Sequence, residues 1–160
     1  MSEDKMYTLE EAHTEFAKKI NGEIWDYLEK KDRTPEEDEA MLMATYASYY
    51  HWTKVGTMAH RQRGEWMLSR VYTVLGRAEP ALLHAQRCLD LTEANLDEMA
   101  DFDKGYAFEA MARSHALAGE KDQAKEYLYK AKAVVETIAD DEDRQWFEGD
   151  INGGEWYGIA

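Results

Sequence analysis

Displacing this sequence against itself by 43 residues brings Gly76 onto Gly119, Ala81 onto Ala124, Arg70 onto Arg113, Leu68 onto Met111 and Ser69 onto Ala112. A unit of two helices and a turn therefore occurs twice. Such a unit cannot hide its apolar face alone and must stack on a neighbour, so the periodicity constrains the fold more than any other feature.

The apolar spacing is helical throughout, with no convincing strand-like alternation. The first helix is expected over residues 8–31, with a Thr8/Glu11 capping box and a stripe of Leu9, Phe16, Ile20, Ile24 and Leu28. The second follows Thr34-Pro35-Glu36-Glu37, where Thr34 caps, Pro35 suits the first turn and Glu37 reaches back to the cap amide. It ends near Lys54, before Gly56. Further helices are expected over 57–75, 78–94, 101–118 and 121–138, the third and fifth closed by Gly76 and Gly119. A seventh, over 141–148, starts in acidic residues that suit the positive helix N-terminus, and glycines from Gly149 onward loosen the tail. Short connections imply antiparallel neighbours. In the second helix Met41, Leu42, Met43, Tyr46, Tyr49, Tyr50 and Trp52 leave almost no polar face, which predicts either a central helix or one buried in a partner contact.

The second copy reads Phe108-x-x-Met111-Ala112-x-x-His115, then Gly119, then Ala124-x-x-x-Leu128-x-x-Ala131. This resembles a tetratricopeptide repeat, with an aromatic, a large apolar and a small residue on the first helix and Ala, a large residue and Ala on the second. The first copy places Leu68, Ser69, Tyr72, Gly76, Ala81 and Cys88 at the matching positions. It departs at Glu65, where an aromatic belongs, and at Ala85, where a large residue belongs. Both copies carry Glu (Glu93 and Glu136) instead of a terminal Pro. The resemblance covers residues 62–138 and is to small bacterial proteins of this kind, from which no activity carries over. It implies an all-α, right-handed stack of antiparallel helical hairpins, a tetratricopeptide-like α-solenoid of about seven helices. One domain spans 1–160: a degenerate helix pair over 1–56, two repeats over 57–138, and a capping helix with tail over 139–160. Ser69, Ala81, Cys88, Ala112, Ala124 and Ala131 are expected at close helix contacts.

Nineteen basic residues against thirty-three acidic ones give a net charge of −14. Residues 1–80 carry 11 basic and 15 acidic groups, and residues 81–160 carry 8 and 18. Such an acidic surface disfavours a general nucleic-acid or membrane-surface role. No run is apolar enough to span a bilayer, Met1-Ser2-Glu3-Asp4-Lys5 lacks the regions of a secretion signal, and Cys88 has no intramolecular partner. A cytoplasmic protein is expected.

In tetratricopeptide-like repeats the first helix of each pair lines the concave surface. The resemblance therefore assigns Arg63, Trp66, Arg70, Tyr106, Glu109 and Arg113 to a ligand groove. Residues 51–77 carry five basic groups against Glu65 alone, a local +4. Arginine at the same repeat position twice, beside an aromatic, suits bidentate capture of a carboxylate or phosphate. The opposing expectation is that Arg113 pairs with Glu109. If Arg70 and Arg113 both hold a buried carboxylate, the pair is structural.

His51 and Trp52, within Tyr49-Tyr50-His51-Trp52, form a second candidate cluster with Arg63, Trp66 and Arg70. Glu10-x-x-His13 has the spacing of a ligand pair but is not repeated, as a di-iron bundle requires. Asp101-x-Asp103-x-Gly105 fails as a calcium loop, because Ala112 stands where a bidentate Glu belongs, and is expected to cap the fifth helix. Zinc spacing, phosphate loops and nucleophile elbows do not occur.

The leading expectation is a non-catalytic module that binds a protein or peptide bearing an acidic group in the basic, aromatic groove, without cofactor or metal. The alternative is a small-molecule or anionic-ligand sensor, or an enzyme, built on His51, Trp52, Arg63, Trp66 and Arg70. A third is a structural protein self-associating through the second helix or the aromatics Trp146, Phe147, Trp156 and Tyr157. A homodimer is expected.

Overall fold

In the computed structural model, residues 4–159 are described; Ala160 and Met1 to Glu3, part of the segment read above for a secretion signal, lie outside them. The described residues contain seven α-helices and no strand: α1 (Leu9–Glu29), α2 (Pro35–Val55), α3 (Met58–Val74), α4 (Ala78–Ala94), α5 (Asp103–Leu117), α6 (Lys121–Val134) and α7 (Asp141–Asn152). Short 3-10 turns, Leu96–Glu98 and Val135–Thr137, follow α4 and α6. The second turn closes the sixth helix earlier than expected, while α7 runs through Gly149 to Asn152.

Local signals set most boundaries. Thr8 accepts the Glu11 amide, and Thr34 and Glu37 cap α2 reciprocally. At α3 the reciprocal partner of Thr57 is His60, whose Nδ1 accepts the Thr57 amide at 3.0 Å. Gly76 and Gly119, at φ of 75° and 79°, turn the chain out of α3 and α5 in the left-handed conformation that a side chain would strain. The fifth helix differs from expectation: its cap position is Phe102, without a side-chain cap, and Asp103 is the first helical residue.

Consecutive helices pack on one another from α1 to α6, and α3 also meets α5. α7 rests on α5 and α6. The small residues lie where helices approach: Ala81, Cys88, Ala112, Ala124 and Ala131 are fully buried and Ser69 nearly so. Ser69 Oγ donates to the Ala81 carbonyl at 2.9 Å, satisfying a hydroxyl at the α3–α4 contact. Ile24, Met41, Trp66, Met67 and Val71 centre one apolar cluster. Ala124, Leu128, Ile138, Phe147, Ile151 and Trp156 centre a second. Full burial of each large side chain contributes about 1.5–3 kcal/mol.

The first two helices are less buried than their patterns predict. Leu9 and Phe16 are exposed on α1, whose buried positions are Ala17 and Ile24. On α2, Met43, Tyr46 and Tyr50 face outward, while Met41, Thr45 and Ser48 are buried. The hydroxyls are tolerable inside because each finds a carbonyl: Thr45 Oγ1 donates to Met41 O, and Ser48 Oγ crosses to Ala17 O at 2.9 Å. Of the four tail aromatics, Phe147 and Trp156 are buried in the chain's own core, Tyr157 is half-buried and Trp146 is exposed. No helix among the described residues is long and apolar enough to cross a membrane.

Candidate functional site

The arginines assigned to an open basic groove are tied down. Arg113 is 2% exposed, and its Nε donates to Glu109 Oε1 at 2.7 Å. Its other nitrogens hold the carbonyls of Asp150, Gly153 and Glu155, and its guanidinium lies 4.0 Å from the Trp156 ring centre. Arg70 Nη1 sits 3.9 Å from the same Glu109 oxygen. Trp66 Nε1 donates to Glu109 Oε2 at 2.8 Å. Trp66, Glu109 and Arg113 are therefore buried, with Arg113 hydrogen-bonded to Glu109 and Arg70 within ion-pair distance of it. The physical reason is desolvation: a buried carboxylate requires partners, and Glu109 recruits both arginines and the indole. Burial pushes the Arg113 pKa down, against the pull of Glu109. The segment that Arg113 grips is residues 150–155, so the chain's own C-terminal stretch occupies the guanidinium expected to meet a peptide.

Arg63 has a different partner. Its Nε and Nη2 fork onto Asp103 Oδ1 and Oδ2, both at 3.0 Å. Asp103 is 1% exposed and also accepts the Ala100 amide. This is the role that replaces helix capping for Asp103. The guanidinium itself remains 45% exposed and lies over Phe102.

Arg63 stands at a cavity of about 380 Å³ between α1, α2, α3, α5 and α7. Its walls are aromatic: Trp25 from α1, Tyr49 and Trp52 from α2, Trp66 from α3, Phe102 and Tyr106 at the start of α5. Trp25 leans on Trp66 at 6.2 Å between centroids, and Trp66 meets Tyr106 edge-on at 5.3 Å. Trp52 stacks on His60 at 4.1 Å and 18°. Because His60 Nδ1 accepts the Thr57 amide, its proton resides on Nε2. Burial and the neighbouring Arg63 both lower the His60 pKa, favouring a neutral ring. At the other end Tyr106 donates its hydroxyl to Asp150 of α7. Burial, then Asp150, then the further carboxylates Glu109 and Asp103, raise the Tyr106 pKa far above that of a free phenol. Tyr49 donates to Glu65 at 3.1 Å, and burial with that carboxylate pushes its pKa up to about 12.

One wall residue is under-satisfied. Gln62 is fully buried, and its Nε2 donates to Thr92 Oγ1 and to the Asp103 carbonyl, leaving Oε1 without a donor.

Of the residues singled out in the sequence, the cavity gathers Trp52, Arg63, Trp66 and Tyr106. It excludes His51, Arg70, Glu109 and Arg113. His51 instead meets His13 of α1, Nδ1 to Nδ1 at 2.8 Å, one nitrogen donating and the other accepting, with Phe16 stacked alongside. Among the described residues no three His, Cys, Asp or Glu side chains cluster as metal ligands. Cys88 is buried and its thiol pKa is raised by that burial. His84, expected to pack, is buried with Nδ1 2.6 Å from Glu65, and His115 stacks on Tyr127.

Trp25, Gln62, Asp103 and Asp150 were missed as site residues. Trp25 lies off the apolar stripe of its helix, Gln62 sits in a basic run, and Asp150 carries no motif. Only Asp103 stood out, for another reason.

No family model, curated protein or solved structure matches the chain.

Proposed function

We propose that the chain is a non-catalytic binding module, a right-handed stack of tetratricopeptide-like helical hairpins, that takes a small organic molecule in the aromatic cavity. The cavity carries this reading. Its volume falls in the range of ligand sites, roughly 300–1,000 Å³, and it combines apolar walls with a few polar groups at its ends. The hairpin arrangement is supported by the 43-residue repeat and by α3 packing on α5 as well as on α4. A peptide groove has less support, because Glu109 and residues 150–155 engage Arg70 and Arg113.

A thermal-shift screen with aromatic fragments tests the reading. A ligand at about one hundred times its Kd stabilises the folded state by ~2.7 kcal/mol. Hits are expected with the native chain and should vanish in Asn21→Phe, which fills the cavity from α1. A screen in which no fragment raises Tm rejects the proposal.

The exposed Phe16, Met43 and Tyr50 of α1 and α2 favour a second reading, a homodimer through that face. Sedimentation should show association that Met43→Lys with Tyr50→Lys abolishes. A single 18.5 kDa species at high concentration rejects it.

A further inference from the structure

The charges around the cavity do not cancel. Arg63 is the one Lys or Arg in its lining, and both oxygens of buried Asp103 already share it. Burial and the neighbouring Arg63 lower the His60 pKa, which favours its neutral form. Among the described residues the Asp150 carboxylate has no cationic partner within salt-bridge distance, and it accepts the Tyr106 hydroxyl. Arg113 reaches only the Asp150 backbone carbonyl, so the lining carries a carboxylate without an ion-pair partner beside a run of rings: Tyr106, then Trp66 edge-on to it, then Trp25 against Trp66. Aromatic faces present the negative side of their quadrupole, and they attract a desolvated cation as a carboxylate does. The −14 net charge adds a long-range field of the same sign.

We propose that the ligand of this cavity is an organic cation, an ammonium on an apolar or aromatic body, with its charge held between Asp150 and the rings of Tyr106 and Trp66. The assignment rests on the cavity being a ligand site and names the class it selects. An ammonium carrying N–H bonds is favoured over a quaternary one, since it donates to the free lone pairs of Asp150. An organic anion is disfavoured: it meets Asp150 uncompensated, and Arg63 is already committed to Asp103.

Three probes with one phenyl body separate the possibilities by calorimetric titration of the full chain: 2-phenylethylammonium, 2-phenylethanol and 3-phenylpropionate. The ammonium is expected to bind about ten-fold more tightly than the alcohol, with the carboxylate weakest. Added salt should weaken the ammonium and leave the alcohol unchanged. Asp150→Asn keeps an acceptor for the Tyr106 hydroxyl and should reduce the ammonium to the affinity of the alcohol. Equal or tighter binding of the alcohol or carboxylate, or a preference that survives Asp150→Asn, overturns the cation assignment while leaving the cavity as a binding site. Failure of all three at ~10 mM, a Kd corresponding to only about −2.7 kcal/mol, overturns both. Binding that persists in a folded Asn21→Phe chain also overturns both, because it places the ligand elsewhere.

Discussion

Trp66 Nε1 donates to Glu109 Oε2 at 2.8 Å, joining the two positions that the 43-residue displacement superimposes. The same displacement pairs Arg70 with Arg113, and both arginines converge on Glu109. One copy supplies an indole and the other a carboxylate at the same place, so the copies are complementary where they differ. Glu109→Ala leaves Arg113 buried without a carboxylate and should cost ~3–5 kcal/mol in denaturant unfolding. Trp66→Phe removes only the donor and should cost less, about 1–3 kcal/mol. Equal losses for both would show that the ion pair adds nothing beyond packing.

Ala124 is fully buried at the α5–α6 contact. Ala124→Glu overpacks the site and buries an unpaired charge, so a loss of several kcal/mol, ~3–5, is expected. An unchanged melting temperature would contradict the repeat register. Ala124→Gly, which leaves room, should cost about 1 kcal/mol through helix propensity alone.

Gly154 has φ of 72°, and a Cβ there would lie 2.6 Å from Arg113 Nη1. Gly154→Ala therefore strains the backbone and pushes on the guanidinium that holds the tail, at a cost of about 1–3 kcal/mol. Hydrogen exchange should accelerate in residues 153–159 while α3 and α4 stay protected. Uniform exchange across the chain would mean that the tail and core unfold as one unit.

Alkaline stability should fall through the tyrosines of the α2–α3 region. The folded pKa of Tyr49 is raised to about 12 by burial and Glu65, and that of Tyr46 to about 12 by burial and Tyr72. The folded state thus keeps protons that the unfolded chain releases near pH 10. Their contribution is fully present below pH ~10 and is lost as pH rises toward 12. Phenolate absorbance should show these groups titrating late, and Tyr49→Phe should flatten the stability loss between pH 10 and 12. A loss of the same slope in Tyr49→Phe would place its cause elsewhere.

The sequence by itself determined the helices, because caps, turn glycines and apolar spacing act within a few residues of chain. Thr34 with Glu37, Gly76 and Gly119 set their boundaries locally, and the small residues from Ser69 to Ala131 declared the close contacts by repeating. The tetratricopeptide resemblance also pointed to Arg63, Trp66 and Tyr106, and Trp52 stood out within the aromatic run from Tyr49. Tertiary structure alone decided what those residues do. Arg63 meets Asp103 forty residues away, Tyr106 meets Asp150 forty-four away, and Arg113 reaches carbonyls 37 to 42 residues on. Periodicity names the face a side chain occupies, but a buried charge chooses its partner by proximity in space. Of the arginines expected to bind a ligand, Arg113 is therefore held by Glu109 and residues 150–155, Arg63 by Asp103, and Arg70 lies 3.9 Å from Glu109. The cavity arose instead where five helices leave space between aromatic rings.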